Sequence, residues 1–419
     1  MIKLFFLLFL PLWLYGANLK ELLGALGQND LLEAKAYSVE SKQSELKSKK
    51  SSFFPTIDLG ASYDNTNKVS PFQFKDRYSA YARLELDIYD GGLKYAQMSG
   101  AKNELSATKH SKEAFAKSLE LDVVKNYYEC LSLTSDIEAA LDSKKAIKEE
   151  LLRVEKFVEA GLLAKDEADR LRSSYNSVEY ELEGLNVALV SSKKNLELKL
   201  DITIDSLEGS SFKKEFLGEI DELSDIKALN FTKASLLDNS RVLRSLYYPT
   251  IKLRDTYSYF WYENADTSSM PQGLSSLNDS FKIKEQNVLM LSANIRVFDF
   301  SSAKEQSDAL RLNSISLAKE IEYKTKEQKM MQDIALLEIQ ASDKKLKSAK
   351  SALVYAKSAY ESISKKYQAS LVDYVTFLDA LKSKTKATST YKRALNELEV
   401  AYASYYYFSG KNLEEFLSE

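Results

Sequence analysis

Cysteine and histidine are nearly absent: the 419 residues include one of each, Cys130 and His110. A single cysteine excludes an internal disulfide and any cysteine-based metal site. A single histidine, set among Lys109, Ser111 and Lys112, leaves no Ser-His-Asp or Cys-His arrangement for nucleophilic catalysis. An excess of one charge is missing too. The 58 Lys and Arg residues face 61 Asp and Glu, and a net charge of −3 gives nucleic acid no electrostatic footprint. No glycine loop cradles a phosphate, since Asp90-Gly91-Gly92 lacks the rest of a nucleotide-binding signature. An enzyme is not expected, and nothing asks for a cofactor or a metal.

Proline is scarce and its placement is informative. Of five prolines, Pro11 lies in the leader, Pro55 and Pro249 in matching motifs, and Pro71 and Pro271 a little after each. None occurs from Gly92 to Leu246 or from Gln272 onward. Proline costs a helix interior roughly 3 kcal/mol, so both tracts are free to form long helices. The second also lacks glycine between Gly273 and Gly410. No long apolar run follows the first residues, so no membrane-spanning helix is expected. The leader itself reads Met1-Ile2-Lys3, then apolar Leu4 to Leu14, then Tyr15-Gly16-Ala17. This pattern predicts a signal peptide over 1–16, cleaved before Ala17, and export of the rest. With no cysteine next to that break, a lipid anchor is not expected.

What the chain does have is a duplication. Phe53-Phe54-Pro55-Thr56-Ile57-Asp58-Leu59 returns as Tyr247-Tyr248-Pro249-Thr250-Ile251-Lys252-Leu253. Leu86-Asp87-Ile88-Tyr89-Asp90 returns as Ile295-Arg296-Val297-Phe298-Asp299, and Ala160-Gly161-Leu162-Leu163 as Ala369-Ser370-Leu371-Val372. Asp90 and Gly161 each recur 209 residues on, as Asp299 and Ser370. Two structural repeats follow, over 17–222 and 223–419. Each opens with a helix, at about 20–50 and about 223–246, with Leu22, Leu23 and Leu26, then Leu229, Leu236 and Leu243, as the apolar faces.

After Pro55 the period changes to two. Ile57, Leu59, Ala61 and Tyr63 alternate with polar residues, as do Ala80, Ala82, Leu84, Leu86 and Ile88. Ile251, Leu253, Tyr257, Tyr259 and Trp261 do the same, as do Leu289, Leu291, Ala293, Ile295 and Val297. These are strand signals, placing β-hairpins at 56–90 and 250–299. One reading is a small soluble sheet covering a helix. The other is a membrane barrel. The second explains strands of about ten residues, charges such as Arg83, Glu85, Asp87, Lys252, Arg254 and Arg296 on the polar face, and aromatic residues on the apolar one. Four strands cannot close a barrel, so the second reading requires oligomers in outer-membrane lipid.

The helical arms leave after Asp90 and Asp299, 71 residues before Gly161 and Ser370. A helix of that length would reach roughly 105 Å. Ile147, Leu151, Val154 and Val158 step at heptad spacing, as do Leu171, Tyr175, Val178, Leu182, Leu185 and Leu189. Leu346, Leu353, Tyr360 and Tyr367, with Tyr391, Leu395, Leu398, Tyr402 and Tyr405, repeat the seam. Antiparallel coiled-coil hairpins are expected, with tips near 161–169 and 370–379. They could build a tunnel or merely a tether.

Together these motifs resemble the TolC-like outer-membrane efflux family. The resemblance implies an α+β membrane protein in which three chains pool their strands into one 12-stranded β-barrel and their helices into one periplasmic tunnel. It implies a passive channel of a homotrimer in the bacterial outer membrane, engaged by a periplasmic adaptor and an inner-membrane pump. A tripartite efflux pump exporting small molecules is one use; a type I protein secretion duct is the other. By the same resemblance, Gly161 with Leu162, and Ser370 with Leu371, fall where the tips meet the adaptor, though Ser370 replaces the glycine. Tyr367 and Glu167 fall on a tyrosine and an acid that close the entrance, while Val372 takes the place of an arginine. Asp379 matches one of two mouth aspartates and Thr376 replaces the other. Asp379 could equally be a solvated helix charge.

Overall fold

The computed structural model describes residues 17–67, 74–217, 219–263 and 282–418. The expected leader over 1–16 and the segments holding Pro71 and Pro271 lie outside the described residues. Two compact units are formed. One takes the N-terminal part to Tyr37 with 110–227 and 322–419; the other takes 38–109 and 228–321. The division falls inside helices.

Element lengths repeat closely. The first repeat has α1 (Leu19–Ala25), α2 (Asp30–Ser51), β1 (Thr56–Asn65), β2 (Asp76–Tyr89), α3 (Leu93–Glu159) and α4 (Lys165–Leu200). The second has α5 (Ser224–Ser245), β3 (Thr250–Glu263), β4 (Glu285–Asn294), α6 (Ser302–Gln368) and α7 (Tyr374–Phe408). Helices α3 and α6 each have 67 residues, α2 and α5 each have 22, and α4 and α7 have 36 and 35. The expected helix over 20–50 is broken: a 3₁₀ turn, Leu26–Gln28, precedes Asn29. The Asn29 carboxamide oxygen accepts from the Leu31 and Leu32 amides, which restarts the chain as α2.

The strands form one antiparallel sheet in the order β1-β2-β3-β4, so the two repeats join through β2 and β3. Strand β4 ends at Asn294, opposite Thr250, the first residue of β3. Ile295 and Val297, expected to continue it, have no strand beside them and lie exposed. After β2, Asp90 caps α3 by accepting from the Gly92 and Lys94 amides. Gly91 and Gly92 there have φ of 71° and 86°. Their counterparts Phe300 and Ser301 hold the same left-handed conformation, at 54° and 66°.

In the first unit, Leu19, Leu22, Leu196, Leu200, Tyr127, Tyr128, Tyr405 and Tyr406 are buried in one core. Tyrosine hydroxyls hold the segment joining the repeats. Tyr128 donates to the Ser210 carbonyl at 3.0 Å, and Tyr405 to that of Leu217 at 3.1 Å. Cys130 is buried there, 3.1 Å from the Ser192 hydroxyl, and burial pushes its thiol pKa up. His110 is partly exposed beside Glu113. In α5 the most deeply buried positions include Ser235, Asp238 and Ser240, while Leu229, Leu236 and Leu243 are half-buried. Asp238 anchors this polar contact, accepting from Ser99 at 2.7 Å and Asn103 at 2.8 Å.

Candidate functional site

The sheet has two unlike faces because strand side chains alternate. One carries Ile57, Leu59, Leu84, Leu86, Leu253, Leu289 and Leu291 in opposed rows. Among the described residues nothing covers it: Ile57 is 71% exposed, Leu59 82% and Leu291 67%. Aromatic residues mark both ends. Tyr63 stacks on Tyr78 at 4.8 Å and Tyr259 meets Trp261 at 4.7 Å near one end. Tyr89, Tyr248, Phe298 and Phe300 are exposed near the other. From Ile251 to Trp261, ten residues at about 3.3 Å each tilted by about 40° give an apolar band about 25 Å tall. Between Ile251 and Trp261 one residue of β3 interrupts the apolar row. Asp255 stands on the apolar face opposite Leu84 and Leu289, with Oδ1 buried and unpartnered.

The other face holds ion pairs in a ladder. Arg254 reaches Glu85 at 2.9 Å; Lys252 reaches Asp87 at 3.2 Å, and Lys94 reaches Asp87 at 2.9 Å. Further along, Arg77 reaches Asp64 at 2.8 Å and Ser62 meets Ser79 at 2.8 Å. The Tyr81 ring lies over Gly60, where a Cβ would come within 2.5 Å of it. Among the described residues of the single chain, both outer strands, β1 and β4, keep an open edge.

The helical tips belong to the first unit and match bond for bond. Gly161 donates its amide to Val158 at 3.0 Å and Leu162 to Phe157 at 2.8 Å. Ser370 donates to Tyr367 at 2.9 Å and Leu371 to Lys366 at 2.8 Å. Gly161 has a φ of 70° and Ser370 of 58°, so serine takes the conformation that glycine adopts without strain. Leu162 and Leu371 protrude from these turns, 70% and 73% exposed. The turns are shorter than the sequence spacing implies, since α4 begins at Lys165 and α7 at Tyr374.

Below the second turn, Tyr367 is 7% exposed and stacks on Phe377 with centroids 5.0 Å apart. Its hydroxyl pKa is pushed up to about 12, chiefly by burial and then by the negative charge of Glu150. Val372 is half-buried against this apolar cluster, alongside Leu163. Glu167 is half-buried, and among the described residues no hydrogen bond joins it to Tyr367. Thr376 has a local role: its amide and hydroxyl donate to Asp373, the N-cap of α7, at 2.9 and 2.6 Å. These bonds hold the Asp373 carboxyl pKa below its usual value. Asp379 is exposed on the rim of a cleft of about 840 Å³ between α3, α4 and α7, which also holds Asp136, Arg393 and Lys382.

Sequence reasoning missed Arg153 and Glu150. The Arg153 guanidinium lies over the Tyr367 ring, 5.0 Å from its centroid, and its Nε donates to Glu150 at 2.7 Å. Nothing in the spacing of the chain links Arg153 to Tyr367. Among the described residues no helix is long and apolar enough to cross a membrane, and no group of side chains could hold a metal ion.

A family model described as outer membrane efflux protein matches residues 23–200. No curated protein matches the chain. Solved structures match it over almost its whole length. The Campylobacter jejuni CmeC outer membrane channel aligns with a TM-score of 0.81 at 14% identity, over 95% of this chain and 86% of that one. The outer membrane protein VceC of Vibrio cholerae aligns with a TM-score of 0.78 at 14% identity, over 94% and 96%. The open-state MtrE outer membrane channel of Neisseria gonorrhoeae aligns with a TM-score of 0.76 at 17% identity, over 94% and 89%. The resemblance read from the motifs therefore stands at the level of fold: the chain has the fold of the TolC-like channels, and its residues 23–200 match the model of the outer membrane efflux proteins.

Proposed function

We propose that this chain is the outer-membrane exit duct of a tripartite efflux pump, passing small molecules such as drugs out of the cell without driving their movement. The observation that carries this is the sheet: its apolar face is uncovered, its opposite face is charged, and both of its edges are open. In a bilayer every backbone amide and carbonyl needs a partner, so such a sheet is stable only when edges of several copies meet. Three copies would give twelve strands, within the range of membrane barrels. The apolar face then meets outer-membrane lipid and the ion-pair ladder lines a wet lumen. The helical hairpins of the copies would together form a tunnel in the periplasm.

The matching tips fit docking by a periplasmic adaptor, with Leu162 and Leu371 as apolar contacts held by the turns at Gly161 and Ser370. Tyr367, Glu167, Val372, Thr376 and Asp379 would surround the mouth, where three copies of Asp379 would form one carboxylate ring. Energy would come from the inner-membrane pump that the adaptor links to the duct. The named relatives CmeC and MtrE are outer membrane channels, which supports the channel reading.

Dye and antibiotic accumulation in a deletion strain tests it. Higher accumulation, reversed by complementation with this chain, is expected. Unchanged accumulation together with a protein missing from the culture medium would instead make the chain a type I secretion duct.

A further inference from the structure

Helices α2 and α5 correspond through the duplication, yet they keep positive charge in common at two places only. Aligned on Pro55 and Pro249, Lys47 returns as Arg241 and Lys50 as Arg244. No other cation of either helix is kept. Lys35, Lys42 and Lys49 correspond to Leu229, Leu236 and Leu243, and Lys227 and Lys233 to Glu33 and Val39. The helix dipole favours cations in a last turn, which accounts for Lys50 and Arg244 but not for Lys47 and Arg241.

In the second unit the two arginines line a cleft of about 400 Å³ with Tyr95, Ser99, Asp238 and Tyr248, where the start of α3 meets the end of α5. Gly91 permits that approach: a Cβ there would lie 2.7 Å from the Ser245 carbonyl oxygen and from Tyr248. Asp238 forms the floor. Its side chain is 4% exposed and accepts from Ser99, Asn103 and Arg241. The Arg241 side chain is 70% exposed and gives Asp238 one nitrogen, at 2.8 Å. Arg244 is held from α6 by Ser307 and Asp308, each at 3.1 Å. The cleft therefore presents guanidinium above a buried carboxylate, beside the exposed rings of Tyr95 and Tyr248.

The ligand follows from where the cleft lies along the sheet. Arg244 and Arg241 stand one and four residues before the end of α5 at Ser245, or about 2 and 6 Å along the helix. The turn after that end carries Tyr248 into β3, where the uncovered apolar band stops among exposed Tyr89, Phe298 and Phe300. The headgroup layer of a bilayer is about 5–7 Å thick on each side of the hydrocarbon, so both guanidiniums fall at its depth. We propose that this cleft binds the phosphate of an anionic phospholipid in the periplasmic leaflet, with the acyl chains against the apolar face of the sheet. The proposal rests on the membrane placement of that sheet given above. A guanidinium matches phosphate oxygens in pairs, and tyrosine rings favour the boundary between hydrocarbon and headgroups.

The test titrates the purified full chain, in a non-ionic detergent, with phosphatidylglycerol and separately with zwitterionic phosphatidylcholine, reading bound lipid by native mass spectrometry. Saturable binding of phosphatidylglycerol is expected, weakened about fivefold by Arg241→Gln and about 25-fold when Arg244→Gln is added. Arg241 is exposed, so the single variant keeps the test open if the double variant does not fold. Arg172→Gln, which removes an exposed arginine of α4 in the first unit, should leave binding unchanged. Equal binding of the two lipids, or unchanged binding by Arg241→Gln, would overturn the site. Displacement of the lipid by inorganic phosphate at equal concentration would make this a site for the free anion and overturn the lipid assignment. Absence of the wild type from the outer-membrane fraction of cells would instead overturn the duct reading. The titration uses purified chain and decides the lipid site by itself.

Discussion

Leu59 and Ser62 are three residues apart on β1 and belong to opposite faces of the sheet. Leu59 is paired with Ala82 in an apolar row that continues to Tyr257, while Ser62 bonds Ser79 on the polar face. An arginine at each position makes the same change in charge and volume, so the pair isolates the face. Leu59 is 82% exposed in the single chain and lies near the middle of the band between the aromatic ends. Arginine facing lipid at such a depth costs about 2–4 kcal/mol per chain, or roughly 30- to 700-fold in an insertion equilibrium. Arginine facing a wet lumen costs far less, since its head stays hydrated. At position 62 the main loss is one hydroxyl hydrogen bond, about 1 kcal/mol. The assay is the yield of heat-modifiable oligomer in the outer-membrane fraction of cells expressing Leu59→Arg or Ser62→Arg. Loss with Leu59→Arg and near-normal yield with Ser62→Arg are expected. Equal yields, or loss with Ser62→Arg alone, would refute the assignment of the uncovered face to lipid.

Asp255→Leu should raise the heat-dissociation temperature of the assembled protein, by the equivalent of about 1–2 kcal/mol per chain, since it removes a carboxylate from the apolar face. Ser370→Gly should slow amide exchange at its tip, and Gly161→Ala should speed exchange at the other, each by about 1 kcal/mol. A Cβ at Gly161 meets nothing within 4 Å, so only the left-handed backbone is at stake. Glu120, on α3, has its pKa pushed up to about 7 by burial and then by the nearby charge of Glu414, against the pull of Lys117. The folded chain therefore holds a proton that the unfolded chain has released between about pH 4.5 and 7, and stability falls as pH rises through that window. Glu120→Gln should remove up to about 3 kcal/mol of that fall, read as a smaller difference between melting temperatures at pH 4.5 and 7.5.

The parts of this molecule legible in the sequence are those written as a period or a count. Alternation at Ile57 to Tyr63 and heptad steps at Leu171 to Leu189 depend on residue type alone, and the duplication depends only on counting. The tip cluster could not be read that way. Arg153 and Tyr367 meet because two hairpins lie side by side, and no spacing records that contact. Asp255 was hidden for a different reason, because a single acid among five apolar or aromatic residues on that face of β3 leaves the period intact while reversing the local chemistry. The glycine positions show a third limit. Residue type makes Gly91, Gly92 and Gly161 look like turns and says nothing of the sort about Phe300, Ser301 and Ser370. All six residues take positive φ. Since α3 and α6 have equal length and begin and end at matched positions, the loops at their ends face the same span and the same amides to satisfy. The second repeat therefore keeps the path and bears the strain. Its turns are held by the helices that enter and leave them, and relaxing one with glycine should steady that turn without moving it.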